Sequence, residues 1–199
     1  MSDSLETVLM HQYVQRWQQG DRLAADQLLR SVGERLEQLA RRMLRSYPNV
    51  RAWADTADVH QGAVIRLLLT LRQLQPESTR SFFNLAAVHI RRELLDLARR
   101  FKNLSRAVHP LPEGPQSGDL LAQTDSAAAD ELEVWTRFHL AVENLPTEQR
   151  EVFSLVFYHG WTQDQIAALF GVHVRTVRRR WQHACIELNR QLGGHLPAL

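Results

Sequence analysis

The stretch from Gly160 to Trp181 reads Gly160-Trp-Thr-Gln-Asp-Gln-Ile-Ala-Ala-Leu-Phe-Gly-Val-His-Val-Arg-Thr-Val-Arg-Arg-Arg-Trp, and it admits little besides two short helices around a tight turn. Thr162 and Gln165 have the spacing of a capping box, which satisfies two free amide donors at a helix start. Ile166, Ala167, Leu169 and Phe170 give that helix an apolar face. Gly171 follows where an inter-helix turn needs a positive φ, a region glycine enters without strain. A second helix is predicted to begin near His173. In it Val174, Val177, Trp181, Ala184 and Leu188 fall on one face at steps of three and four. Arg175, Arg178, Arg179 and Gln182 fall on the other. A helix with outward arginines suits the DNA major groove, where guanine shows paired acceptors to a guanidinium fork. An arginine run alone reads as a solvated face. Here the cap, the turn glycine, the small Ala167 and the inward periodicity agree on a helix-turn-helix from Thr162 to about Leu188. His173 is the irregular member. Its position favours Ser, Thr, Asn or Asp. A histidine is expected to cap less well, or to reach a phosphate or base edge instead.

Helical periodicity runs through the rest of the chain, and long alternating strand patterns are absent. Val8 to Gln19 reads as a helix stopped by Gly20. Asp21 can cap the next, with Leu23, Leu28, Leu29, Val32, Leu36, Leu39 and Met43 at helical spacing. Tyr47-Pro48-Asn49 breaks it. Thr56 to Leu74 reads as a third helix, with Val59, Ala63, Ile65 and Leu67 among its apolar positions. Ser81 to about Lys102 is a long fourth, after a loop at Gln75-Pro76-Glu77-Ser78. Composition then shifts. Val108 to Ala129 holds Pro110, Pro112, Pro115, Gly114 and Gly118 among small and acidic residues, which reads as a linker. An irregular stretch of that length inside one compact domain is unusual. The chain is therefore divided into a domain over 8–104, a linker over 105–130 and a second domain over 131–192. The second opens on a helix from Glu131 to Asn144 and continues from Thr147 to Tyr158. The expected fold class is all-α, two small helical domains joined by a flexible linker.

The net charge of +2 says less than its distribution. Arg91, Arg92, Arg99, Arg100, Lys102 and Arg106 form one basic block. Arg175, Arg178, Arg179, Arg180 and Arg190 form another. The acidic stretch between them, from Glu113 to Glu133, has no Lys or Arg. This pattern suits two contacts on a polyanion. Lys102 is the only lysine, and the heavy use of arginine fits phosphate and guanine contacts or, equally, a GC-rich genome.

Other classes recede. No run of about 18 apolar residues could span a membrane. The acidic, polar start lacks the basic and apolar parts of a signal peptide, so the chain is expected in the cytoplasm. The single cysteine, Cys185, permits no internal disulfide and reads as a small buried apolar residue. No Cys or His cluster has zinc spacing and no glycine-rich phosphate loop occurs, so neither metal, cofactor nor catalysis is expected. His11, His60, His89 and His183 read as surface or packing residues.

Leu145-Pro-Thr-Glu-Gln-Arg-Glu-Val-Phe-Ser-Leu, then Gly160-Trp-Thr-Gln-Asp-Gln-Ile-Ala and Gly171-Val-His-Val-Arg-Thr-Val-Arg, resembles region four of extracytoplasmic-function (ECF) sigma factors, the smallest members of the sigma-70 family. The resemblance implies that His173, Arg175, Thr176, Arg178, Arg179 and Gln182 meet the −35 promoter element as double-stranded DNA. The first half resembles region two. Asp58-Val59-His60-Gln61 followed by Arg66 matches the family's Asp-Leu-x-Gln…Arg pattern. It implies that Asp58, Gln61 and Arg66 contact the β′ clamp helices of core RNA polymerase. Gly62 and Val64 stand where the family often has a glutamate and an aromatic, which bears on affinity. The segment Ser81 to Arg100, ending Asp96-x-Ala98-Arg99-Arg100, resembles the promoter-melting helix. Arg91, Arg92, Asp96, Arg99 and Arg100 are then implied contacts to melted −10 DNA. Phe82 and Phe83 either stack on unpaired bases or pack in the core. In the family the loop from Gln73 to Arg80 captures a flipped base. The linker is either a nucleic-acid mimic in a basic channel or a solvated tether.

The resemblance spans roughly Val8 to Gln191 and implies an alternative sigma factor with no enzyme activity, directing polymerase to promoters. An anti-sigma protein commonly holds such factors, and that partner stays open here. The competing reading is a helix-turn-helix transcription regulator with an N-terminal sensor domain. The helix carrying Asp58, Gln61 and Arg66 argues against it, because a sensor does not need it.

Overall fold

The computed structural model of the protein describes residues 2–43, 55–73, 77–108 and 119–194, and all regular structure among them is helical. The order is α1 (Ser2–Gln18), α2 (Arg22–Met43), α3 (Asp55–Arg72), α4 (Thr79–Val108), α5 (Asp119–Glu143), α6 (Thr147–His159), α7 (Gln163–Phe170) and α8 (Val174–Gln191). The expected break at Tyr47-Pro48-Asn49, residues 74–76 of the expected loop, and the prolines and glycines of the linker lie outside the described residues.

Local chemistry sets several of these boundaries. Gly20 turns the chain after α1 at φ 91°. Asp21 then caps α2, its Oδ1 accepting from the Leu23 and Ala24 amides at 2.9 and 3.2 Å. The Ala24 amide, and after it the Arg16 guanidinium, hold that carboxyl below the usual carboxylate range. Gly33, midway along α2, lets α3 come close, because a Cβ there would already lie 3.4 Å from Val64 Cγ1. Ser78 starts α4, its Oγ accepting from the Ser81 amide at 3.1 Å.

The stretch 105–130, expected to be an irregular linker, is helical at both described ends. α4 runs on to Val108 and α5 already begins at Asp119. Residues 119–130 contain neither Pro nor Gly and are rich in Ala and Leu, so they favour helix once past the proline cluster. Leu23, the first of the apolar residues at helical spacing, is 74% exposed at the first turn of α2.

Leu28, Leu36, Leu67, Phe82, Ile90 and Leu94 fill the centre of the first four helices. Trp135, Phe138, Phe153, Tyr158, Ile166 and Leu188 fill the centre of the last four. The two centres are continuous: one cluster of buried apolar side chains extends from Val14 to Leu192. Among the described residues no helix is long and apolar enough to cross a membrane.

Candidate nucleic-acid interface

Both bonds of the capping box at the start of α7 are made. The Thr162 amide donates to Gln165 Oε1 at 2.7 Å, and the Gln165 amide donates to Thr162 Oγ1 at 3.3 Å. Gly171 closes α7 in the left-handed region, at φ 63° and ψ 34°. The Val172 and Gly171 amides return to the Ala167 and Ala168 carbonyls, the pairing that satisfies a helix end at a left-handed glycine. His173 does serve as the cap of α8: its Nδ1 accepts from the Arg175 amide at 3.0 Å. That bond requires the neutral ring with its proton on Nε2. The imidazole nitrogen thus does what a Ser or Asp oxygen usually does.

The inward face of α8 is built by Val177, Ala184 and Leu188, all buried. Trp181 joins them by stacking on Phe153 of α6, centroids 5.0 Å apart and planes 10° apart. The helical period then turns Arg175, Arg178, Arg179 and Gln182 outward, and all four are exposed. Thr176 is half-buried beside them. Among the described residues Arg175, Arg178 and Arg179 pair with no carboxylate, so their guanidinium groups are available to a ligand. Arg180 is different. It is half-buried and bonds Glu148 of α6 at 2.8 Å, so it holds α8 to α6.

In α3, Gln61 is exposed, while the side chain of Asp58 lies outside the described residues. Ile65, one of the apolar positions of this helix, is exposed. With Leu69 it continues the Gln61 face at steps of four. Arg66 is half-buried and bonds Glu93 of α4 at 2.8 Å, which ties α3 to α4.

On α4, Arg92, Arg99 and Arg100 are exposed, and half-buried Asp96 bonds Arg99 at 2.9 Å. Arg91 does not share their surface. It is 3% exposed, its guanidinium carbon lies 5.9 Å from the centroid of the Tyr158 ring, and its Nη1 has no hydrogen-bond partner. Phe82 and Phe83 are buried, Phe82 edge-on to Trp17 and Phe83 edge-on to Trp161. In this arrangement both phenylalanines are packing residues.

Residues that sequence patterns do not single out join the two halves. Arg35 of α2 donates from Nε to the Tyr158 carbonyl at 3.1 Å and from Nη2 to the Phe157 carbonyl at 2.8 Å. These acceptors belong to the last turn of α6, where carbonyls lack helical partners. Glu151 of α6 takes Arg80 as an ion pair and accepts from Asn84 Nδ2 at 2.8 Å. The Arg80 guanidinium also lies over the Phe170 ring, 4.3 Å from its centroid. His159 Nε2 donates to the Phe83 carbonyl at 2.8 Å. Burial pushes His159 down to about 4. His139, fully enclosed and bonded to the Tyr158 hydroxyl at 2.9 Å, is pushed down to about 3 by burial first and by Arg91 second. An open cleft of about 450 Å³ runs along the seam beside Arg80, Asn84, Arg91, Arg150 and Glu151.

A chain whose described regular structure is all helical, and which carries a capped helix-turn-helix with outward arginines that pair with no described carboxylate, belongs to the class of helix-turn-helix DNA-binding proteins. The sequence model of the ECF sigma factor family matches residues 9–194, nearly the whole length, and the chain belongs to that family. It is a sigma factor of transcription initiation. Among curated proteins none matches the sequence.

Proposed function

We propose that the protein is an alternative sigma factor that binds core RNA polymerase through α3 and directs it to a specific two-part promoter. Residues 131–192 read the −35 element by setting α8 in the major groove. Arg175, Arg178, Arg179 and Gln182 are its contacts, with Thr176 and the His173 ring at the groove edge. Residues 8–104 dock on the β′ clamp helices with Asp58 and Gln61, and Arg66 steadies that helix through Glu93. Arg92, Arg99 and Arg100 follow the melted −10 strand, with Asp96 orienting Arg99 and Arg91 joining once it is uncovered. Residues 105–130 connect the two. Each half binds weakly alone, and joining them on polymerase raises their effective concentration on one promoter.

The observation that carries this reading is the outward arginine face of α8, free of ion pairs among the described residues and fixed by Val177, Ala184 and Leu188 behind it. Run-off transcription with reconstituted polymerase, followed by start-site mapping, is the test. The expected result is initiation that depends on the chain, at sites sharing sequence near −10 and −35. A chain that binds duplex DNA but does not associate stoichiometrically with core would instead be a regulator of the sensor-domain type.

A further inference from the structure

The bond that caps α8 also decides what the far edge of the His173 ring can do. Nδ1 accepts from the Arg175 amide at 3.0 Å. A ring nitrogen that accepts carries no hydrogen, so the proton of the neutral ring sits on Nε2. The two nitrogens lie on opposite edges of the ring, and with Nδ1 turned to the helix start, Nε2 faces away from it. His173 is exposed, and Nδ1 makes its one hydrogen bond among the described residues. The cap therefore leaves an uncharged N–H donor held outward in one place. A serine or aspartate cap would not supply it: aspartate has no donor, and a serine hydroxyl ends at the helix start.

Arg175, Arg178 and Arg179 turn into solvent from the same helix, and their long side chains suit base edges deep in a groove. The His173 ring is folded back on the first turn by its own cap and has little reach. A helix about 10–12 Å across nearly fills a major groove about 12 Å wide, so the sugar-phosphate rim is what lies close to its edge. Phosphate contacts accept uncharged donors as well as cations, and they set register without reading sequence. An uncharged donor neutralises no phosphate, so it should add affinity without adding to the salt slope.

We propose that His173 has two roles at once: Nδ1 caps α8, and Nε2–H donates to a phosphate oxygen on the rim of the −35 major groove. This rests on reading α8 as the −35 helix. The contact fixes where along the groove the arginines land. Because the cap already orders the ring in the free protein, little side-chain freedom is lost when DNA arrives.

Three variants of the full-length chain separate the two roles. His173→Ser keeps a cap and loses the outward donor, His173→Gln keeps an outward N–H and caps poorly, and His173→Ala has neither. Thermal melts should leave His173→Ser near wild type and lower His173→Gln and His173→Ala by about 2–4 °C. Fluorescence anisotropy on a −35 duplex should find His173→Ser about 2- to 10-fold weaker than wild type, alike on matched and altered −35 sequences and with the salt slope unchanged. His173→Gln should bind more tightly than His173→Ala. Ring nitrogen shifts in NMR spectra above neutral pH should place the hydrogen on Nε2. Wild-type affinity in His173→Ser, a loss confined to one base sequence, or a hydrogen on Nδ1 overturns the proposal. A salt slope lowered by about 0.9 in His173→Ser would mean a charged ring at the phosphate and overturns it too. If Arg178→Ala also binds the duplex like wild type, the −35 reading of α8 fails; if Arg178→Ala weakens binding and His173→Ser does not, this proposal alone fails.

Discussion

Arg178→Ala, set against Arg180→Ala, separates what the outward face of α8 does from what its fold requires. Arg178 is exposed and makes no ion pair among the described residues, so its removal should change stability by no more than about 0.5 kcal/mol. For a chain of this size that is about 1–2 °C in Tm. On DNA the cost is larger. A lost guanine contact is worth about 1–3 kcal/mol, or about 5- to 150-fold in affinity, and relaxes preference at one base pair. A lost phosphate contact weakens all sequences alike and lowers the salt slope by about 0.9. Arg180 reverses the pattern. Its pair with Glu148, whose own side chain is 67% exposed, should contribute about 0.2–1 kcal/mol to stability, and DNA affinity should stay within about twofold of wild type, since an ion-paired, inward-leaning arginine makes no groove contact. Fluorescence anisotropy on a −35 duplex at several salt concentrations reads the first effect, and thermal melts read the second. Core pull-down should be unchanged in both variants. The reasoning fails if Arg180→Ala weakens DNA binding as much as Arg178→Ala, or if Arg178→Ala abolishes core binding.

Gly171→Ala incurs a left-handed backbone cost of about 1–2 kcal/mol, offset by about 0.4–1 kcal/mol from a stiffer unfolded chain; with nothing within 4 Å of the added Cβ, a clash adds nothing. Urea midpoints should therefore fall modestly for Ala and less for Asn, and an Asn variant as unstable as the Ala variant would contradict a purely conformational turn. Burial pushes His139 down to about 3 in the folded chain, against an ordinary histidine value of about 6.5, so between those values the unfolded chain takes up a proton that the folded chain refuses. Stability should thus fall as pH drops from about 6.5 toward about 3, and His139→Gln should flatten the slope only in part, because His159 near 4 contributes the same sign. Equal slopes in His139→Gln and wild type would show that this ring is not held neutral. Gln61→Ala should weaken core binding about 2- to 10-fold, as expected for one lost hydrogen bond, and leave the −35 duplex alone; wild-type core affinity in both Gln61→Ala and Asp58→Ala would remove α3 from the polymerase contact.

The helix-turn-helix was legible in the sequence because each of its determinants is local. Thr162 and Gln165 are three residues apart, Gly171 acts through its own φ, and the inward residues of α8 recur within one helix. His173 shows the limit of residue-type preferences: a cap needs a lone pair at the right place, and Nδ1 supplies one. Helix 119–143 was hidden in part because the Pro and Gly cluster before it coloured the reading of the Ala-rich residues after it. The seam was not legible at all. Periodicity shows which side of α4 is apolar, but not that Tyr158 and Trp161 cover it. Nothing near Arg35 in sequence shows that its guanidinium ends a helix more than a hundred residues on. Arg91 and Arg92 are neighbours of one type, and only the packing of α6 buries one and exposes the other.

Phe83 and Trp161 meet across the seam, yet they leave the ribosome at different times. At about 5–20 residues per second, Trp161 follows Phe83 by about 4–16 s. Throughout that interval Phe83 and Arg91 wait without His159 and Tyr158 of α6, which later pack against them. A nascent chain therefore shows this face of α4 before it owns the residues that cover it.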